Sequence, residues 1–293
     1  MEYNMKQIEV LNWAFSILKE HNREEQIANI LMQHHLNYTQ AEFYMNMRET
    51  IQPEIITKFK QDIFSHINTG KPVQHLIGYD YFYGEKFIVN EHTLIPRQET
   101  EELVDLIINT YPQDSNLTFV DLGTGSGVIA ITLAKHFKHA QIIASDISNH
   151  ALAVAKKNAK LHETNIQFLN GDFLQPLIKS QLNPNVIVSN PPYIDYADLS
   201  SLSDTVKDFD PHKALFAKNK GLAAYETIMR QITKLAKYPQ AIYFEIGHTQ
   251  AATLTDMYKK LLPNYQIKIK KDINAKDRII IAKLKKEVKN HKN

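Results

Sequence analysis

From residue 117 to residue 283, apolar runs of strand length alternate with stretches of helical periodicity. Strands fall at 117–121, 140–145, 165–169, 185–189 and 240–246, and helices from about 126, at 149–161, at 221–237 and at 249–261. Such alternation builds a mostly parallel sheet covered by helices on both faces. Two further strands, near 265–270 and 278–283, complete the pattern. Only Asp272 to Asp277 lie between them, too few residues for a crossover, so they pair as an antiparallel hairpin at the sheet edge. The expectation is an α/β fold with a sheet of seven strands.

A sheet of this kind gathers the loops after its parallel strands along one edge, and ligands bind there. The loop after the first strand is Asp121-Leu122-Gly123-Thr124-Gly125-Ser126-Gly127, which holds three of the chain's nine glycines. Glycines let the backbone approach a ligand closely. The spacing is Gly-x-Gly-x-Gly, which differs from the dinucleotide fingerprint, and no phosphate-binding Lys follows as in a P-loop. Asp146 ends the second strand, where a carboxylate accepts both hydroxyls of a ribose. Gly171-Asp172-Phe173 follows the third strand. Asp172 or its backbone suits an adenine amino group, and the Phe173 ring suits the face of the base. Asn190 follows the fourth strand. S-adenosylmethionine fits this set of loops. Asp121 either lies near the amino-acid end of that cofactor or stabilises the turn.

Asn190-Pro191-Pro192-Tyr193 carries the most specific chemistry. Neither proline has an N–H, so the backbone cannot join a helix or a ladder there. Pro192 also biases Pro191 toward an extended conformation. The corner is stiff, and its carbonyls and the Asn190 amide stay free to bind. An Asn-Pro-Pro-aromatic corner after the fourth strand resembles that of methyltransferases that act on nitrogen conjugated to a π-system, a poor nucleophile because its lone pair is delocalised. The Asn190 side-chain oxygen and the Pro191 carbonyl each accept one N–H, which aims the lone pair at a methyl donor. Tyr193 stacks on the planar group and excludes water. A glutamine side chain and a nucleobase amine both satisfy this corner.

Composition narrows the choice. Lys plus Arg is 34 against 32 for Asp plus Glu, a net charge of +2, which is no nucleic-acid signature. The basic residues that do cluster, Lys283, Lys285, Lys286, Lys289 and Lys292, read as a solvated end. With no cysteine there is no disulfide and no thiolate metal site, and no metal is expected. No leader segment and no apolar run of ~20 residues is visible, so the expected location is the cytoplasm and the expected state a monomer. Residues 1–70 read as a helical bundle, with an apolar stripe through Ile8, Leu11, Phe15 and Leu18 and a capping box at Thr39 and Glu42. Such a bundle either presents a surface to a partner or caps the next domain. Residues 71–96 read as a linker built on an aromatic β-hairpin around Gly84, and residues 97–293 as the catalytic domain. Arg97 is either a substrate anchor or part of a structural ion pair.

The seven-strand sheet with its antiparallel last hairpin resembles the class I, Rossmann-like methyltransferases. Further segments narrow the resemblance: Pro72-Val73-Gln74-His75-Leu76-Ile77-Gly78, Leu94-Ile95-Pro96-Arg97, Ser189-Asn190-Pro191-Pro192-Tyr193-Ile194, Gly221-Leu222-Ala223-Ala224-Tyr225 and Glu245-Ile246-Gly247. With the glycine loop, they are similar to the peptide-chain release factor glutamine methyltransferase family over nearly the whole chain. The resemblance implies transfer of a methyl group from S-adenosylmethionine to the glutamine side-chain nitrogen in the Gly-Gly-Gln motif of class I release factors. It places cofactor contacts on Gly123, Thr124, Gly125, Ser126, Gly127, Asp146, Asp172, Phe173 and Asn190, and substrate contacts on Asn190, Pro191, Pro192 and Tyr193. The chain departs from the family pattern at Gln98, at Phe209-Asp210-Pro211, at Asn274-Ala275 and at Phe173. The competing reading is an adenine-N6 or guanine-N2 methyltransferase of DNA or RNA. A cofactor-binding partner of release factors without catalysis is a third.

Overall fold

The computed structural model describes residues 5–201 and 204–286, so Lys289 and Lys292 of the basic end lie outside the described residues. Two compact units are present: one runs to Tyr79 and includes the short helix Asp204–Phe209, and the other holds the sheet. In the first, helices Gln7–Glu20, Gln26–Leu36, Gln40–Met45 and Pro53–Thr69 enclose a core of Leu11, Leu18, Leu31, Phe43, Phe59 and Ile63. The Thr39 side chain caps the third of these helices at 3.3 Å from the Glu42 N–H, and Glu42 returns a bond to the Thr39 N–H at 2.8 Å. Such a cap stabilises a short helix by ~1 kcal/mol. A ribbon of Met5–Lys6 and Thr50–Ile51 ties the start of the first helix to the connection between the third and fourth, which periodicity does not reveal.

Residues 71–96 depart in part from the expectation. Val73–Ile77 is a helical turn grouped with the first unit, and only Tyr79–Phe82 and Glu85–Ile88 form the hairpin. Pro72 ahead of this turn fixes φ at its entry, where a proline costs a helix nothing.

The sheet strands are β1 Thr118–Leu122, β2 Gln141–Asp146, β3 Gln167–Asn170, β4 Val186–Ser189, β5 Ala241–Glu245, β6 Tyr265–Lys271 and β7 Asp277–Leu284. Their order across the sheet is β6-β7-β5-β4-β1-β2-β3. The five strands β1 to β5 are mutually parallel, and β7 runs antiparallel to β5 and β6. Side chains alternate between the faces, which splits the strand residues into two cores. Phe119, Val186, Val188 and Tyr243 pack under helices Gln98–Ile108 and Val128–His136. Val120, Ile187, Ile242 and Phe244 pack under helices Ala223–Ile232 and Ala251–Leu261.

The register explains the site. Leu122 stands beside Ser145 on one side and Ser189 on the other, and Ser189 beside Phe244. One residue further along each strand brings Asp146, Gly123, Asn190 and Glu245 into one row at the carboxyl edge. Four segments far apart in sequence therefore end at one place.

Candidate active site

A cavity of about 310 Å³ opens along that row. Its walls include Gly123, Thr124, Gly125, Ser126, Asp146, Asp172, Phe173, Asn190 and Pro192, nine of the residues singled out from the sequence. This is the size of a small-molecule site. Three expected residues do not line it. Gly127 faces helix Asn149–Leu161, and a Cβ there would meet Ala155 and Ile131 at 3.1 Å each. Pro191 is buried. Tyr193 is half-buried, and its hydroxyl donates to Glu245 Oε1 at 3.3 Å. Burial raises the Tyr193 phenol above its usual range, so it stays protonated and available as a donor.

The cavity's donor set fits S-adenosylmethionine. Asp146 Oδ2 accepts the Gly125 N–H at 2.9 Å, and Oδ1 accepts the Ser148 N–H at 2.8 Å. Each oxygen keeps a further lone pair for a ribose hydroxyl. Burial raises the Asp146 carboxyl, and these backbone N–H groups oppose that by favouring the anion. Phe173 adopts φ 48 and its carbonyl accepts from Ser145 Oγ at 2.9 Å, which holds the residue against the cavity. Asp121 does not line the cavity. It is buried, accepts from Thr124 Oγ1 at 2.6 Å, and burial pushes its carboxyl up to about 7. Of its two expected roles, the structure displays the turn-stabilising one.

The corner is braced from several sides. Gln250 Nε2 donates to the Tyr193 carbonyl at 3.0 Å. Ile194 donates to the Leu215 carbonyl and accepts from the Ala217 N–H, each at 3.0 Å, so the chain leaving the corner is pinned. Gly221, at φ +76, passes so close that a Cβ there would sit 2.0 Å from the Tyr193 oxygen. Below the corner, Asn190 Nδ2 donates to Thr100 Oγ1 at 3.0 Å, and Thr100 Oγ1 donates to Glu245 Oε2 at 2.6 Å. Glu245 is 1% exposed and Thr100 3%. Burial pushes the Glu245 carboxyl up to about 7, against the pull of Thr100 and Arg278. Arg97, on the cavity wall, forms a 2.8 Å ion pair with buried Asp210 and so satisfies the structural reading of its role.

Comparison with known proteins agrees with this architecture. The methyltransferase small domain family matches residues 88–209, and the PrmC N-terminal domain family matches residues 9–78. A release factor glutamine methyltransferase of Enterococcus faecalis is 39% identical over 274 residues, which cover 94% of this chain and 98% of the relative. The chain belongs to the release factor glutamine methyltransferase family. Its relative in Bacillus subtilis is also 39% identical, over 282 residues that cover 95% of this chain and 98% of the relative. Among solved structures, the hMettl16 catalytic domain in complex with an RNA hairpin aligns with a TM-score of 0.54 at 14% identity, over 83% of this chain and 85% of that one. At that identity the likeness is one of fold.

Membership accounts for the glycine loop and the Asn190 corner. It leaves Thr100, Asp210, Gly221 and Gln250 as residues around the site that sequence reasoning did not single out for a role. Gly221 opened the helical stretch read at 221–237 and stood in a segment that carries the family resemblance, but its close approach to Tyr193 is tertiary. No helix among the described residues is long and apolar enough to cross a membrane, and no cluster of metal-ligating side chains occurs among them.

Proposed function

We propose that this protein methylates the side-chain nitrogen of the glutamine in the Gly-Gly-Gln motif of class I release factors, with S-adenosylmethionine as donor. One observation carries the reading: Asn190 and Pro192 of the corner line one cavity with Asp146 and Phe173. The bound cofactor supplies an activated methyl on its sulfonium. The protein's part is to position and polarise the acceptor. Asn190 Oδ1 and the Pro191 carbonyl accept the two amide N–H groups and turn the nitrogen lone pair toward the donor. As the nitrogen gains positive charge on forming its new bond, both acceptors hold it more strongly, and such preorganised groups are worth ~10²-fold or more in rate. No strong base is needed, because the nitrogen loses its extra proton after transfer. Tyr193 supports the corner from beneath, with Glu245 and Gln250 as its partners.

The helical unit through Tyr79 is the recognition module for the release factor, and the protein works as a monomer in the cytoplasm without contacting nucleic acid. The near-even charge, 34 basic against 32 acidic residues, supports a protein substrate over a polyanion. The test is an Asn190→Ala variant assayed on a release factor. The proposal expects kcat to fall by ~10² or more with cofactor affinity retained. Unchanged turnover would remove the corner from the reaction.

A further inference from the structure

We infer that Thr100 and Glu245 form a hydrogen-bond lock that fixes which way the Asn190 amide faces, and that this lock selects glutamine over glutamate. The inference rests on the acceptor proposed above. A threonine hydroxyl has one proton. With Glu245 ionised, that proton goes to Glu245 Oε2 at 2.6 Å, the shorter of the two contacts. Toward Asn190 the Thr100 oxygen can therefore only accept, and the group 3.0 Å away must be the amide NH₂. Asn190 Oδ1 is left to face the opposite way, on the side of the cavity. The orientation of an asparagine amide is ordinarily ambiguous, and with Glu245 as the carboxylate the single Thr100 proton decides it.

An oxygen in that place accepts an N–H and repels a carboxylate. A turned amide would present its NH₂, donate to a carboxylate and clash with a glutamine N–H. Sites built to pair one polar group reject an analogue that leaves the pair unmade far better than apolar sites reject size differences. The second Glu245 oxygen takes the Tyr193 hydroxyl at 3.3 Å, so one carboxylate serves both ends of the corner. Arg278 favours the charged form of Glu245, while Glu99 and burial oppose it. The carboxylate form is what keeps the Thr100 proton pointed inward. The register places Asn190 and Glu245 side by side, because β4 and β5 are neighbours and end in the same row, and helix Gln98–Ile108 brings Thr100 between them.

Thr100 acts through Asn190, so it is a positioning residue. The test compares the wild type with Thr100→Val, which keeps the shape but removes the hydroxyl, and with Thr100→Ser, which restores it. Two quantities are read for each: kcat on a release factor, and the inhibition constant of a Gly-Gly-Glu peptide. Thr100→Val should lower kcat by ~10-fold or more and bind the glutamate peptide at least ~5-fold more tightly, while Thr100→Ser stays within ~3-fold of wild type in both. Glu245→Gln should shift both readouts in the same direction as Thr100→Val, since a glutamine can donate to Thr100 and release its proton toward Asn190. That variant keeps the test decisive if Thr100→Val does not fold. A loss of kcat with unchanged rejection of the glutamate peptide, in both variants, would overturn the lock and leave a packing role. A wild type that does not methylate any release factor would strike at the proposed function instead.

Discussion

Gly221→Ala tests the corner from outside the cavity lining, by pushing on Tyr193. The new Cβ would lie 2.0 Å from the Tyr193 oxygen, 2.7 Å from its carbonyl carbon and 2.8 Å from Gln250 Nε2. To regain 3.4 Å, the lower limit of ordinary contact, the Tyr193 carbonyl has to retreat by about 1.4 Å. Tyr193 is the last residue of the corner, so its displacement passes to Pro192 and Asn190 through two stiff prolines. A misplacement of ~1 Å in reacting groups costs ~10²-fold in rate, or about 2.7 kcal/mol. The alanine also adopts φ +76, which costs ~1 kcal/mol, and the Gln250 bond is lost for about 1 kcal/mol more. The melting temperature should fall by roughly 4–8 °C for a domain of this size. The assay is kcat on a release factor at saturating cofactor, with cofactor affinity from calorimetry. The expectation is a ~10²-fold loss of kcat with cofactor affinity within ~3-fold of wild type. Gly84→Ala is the control, because Gly84 has φ +75 and nothing within 4 Å of the added methyl. It should cost ~1 kcal/mol of stability and leave kcat alone. Equal kcat for Gly221→Ala and wild type would refute the idea that the corner's position sets the rate.

Three further outcomes are expected. Asp146→Ala should weaken cofactor binding by ~10-fold or more, because it removes the proposed ribose acceptor and also the acceptor for the Gly125 and Ser148 N–H groups; calorimetry reads it. Glu245 sits at about 7, above the ordinary 4.5, so its protonated form is the one that the fold favours. Stability from this group is full below pH ~4.5 and is lost as pH rises through about 7, whereas the lock on Asn190 needs the anion. As pH falls through about 7, kcat should therefore fall, and the wild type should gain melting temperature relative to Glu245→Gln. Asp121 rises to the same value, so only the part of each curve that Glu245→Gln removes belongs to Glu245. Deleting residues 1–70 should raise KM for a whole release factor more than for a short Gly-Gly-Gln peptide; an equal effect on both would make the helical unit a stabilising cap.

The sheet was legible because buried parallel strands read as short apolar runs, and Asn185 to Ser189 ahead of two prolines leaves little else to be. The final hairpin was legible from the shortness of its connection. Residues 194–221 were not: their short helical pieces are too brief to display a period, and pairs such as Ile194 with Phe216 are tertiary. Val73–Ile77 was absorbed into the hairpin reading because five residues cannot distinguish a helical turn from a loop. At the site, each loop carrying Gly, Asp or Asn after a strand announced itself. Glu245 entered only within a segment shared with the family, and its burial beside Asn190 shows only in the fold. Its partner Thr100 is 145 positions away, on a helix whose first turn reads simply as acidic. The register sets Glu245 beside Asn190, and helix Gln98–Ile108 carries Thr100 to both.

The most direct measurement of the central claim is the position of the transferred methyl. A class I release factor and bulk RNA and DNA are incubated together with the protein and isotopically labelled S-adenosylmethionine, and the products are digested and mapped by mass spectrometry. The account predicts one methyl on the side-chain nitrogen of the Gly-Gly-Gln glutamine and none when that glutamine is replaced. Label found only on adenine or guanine amines would contradict it.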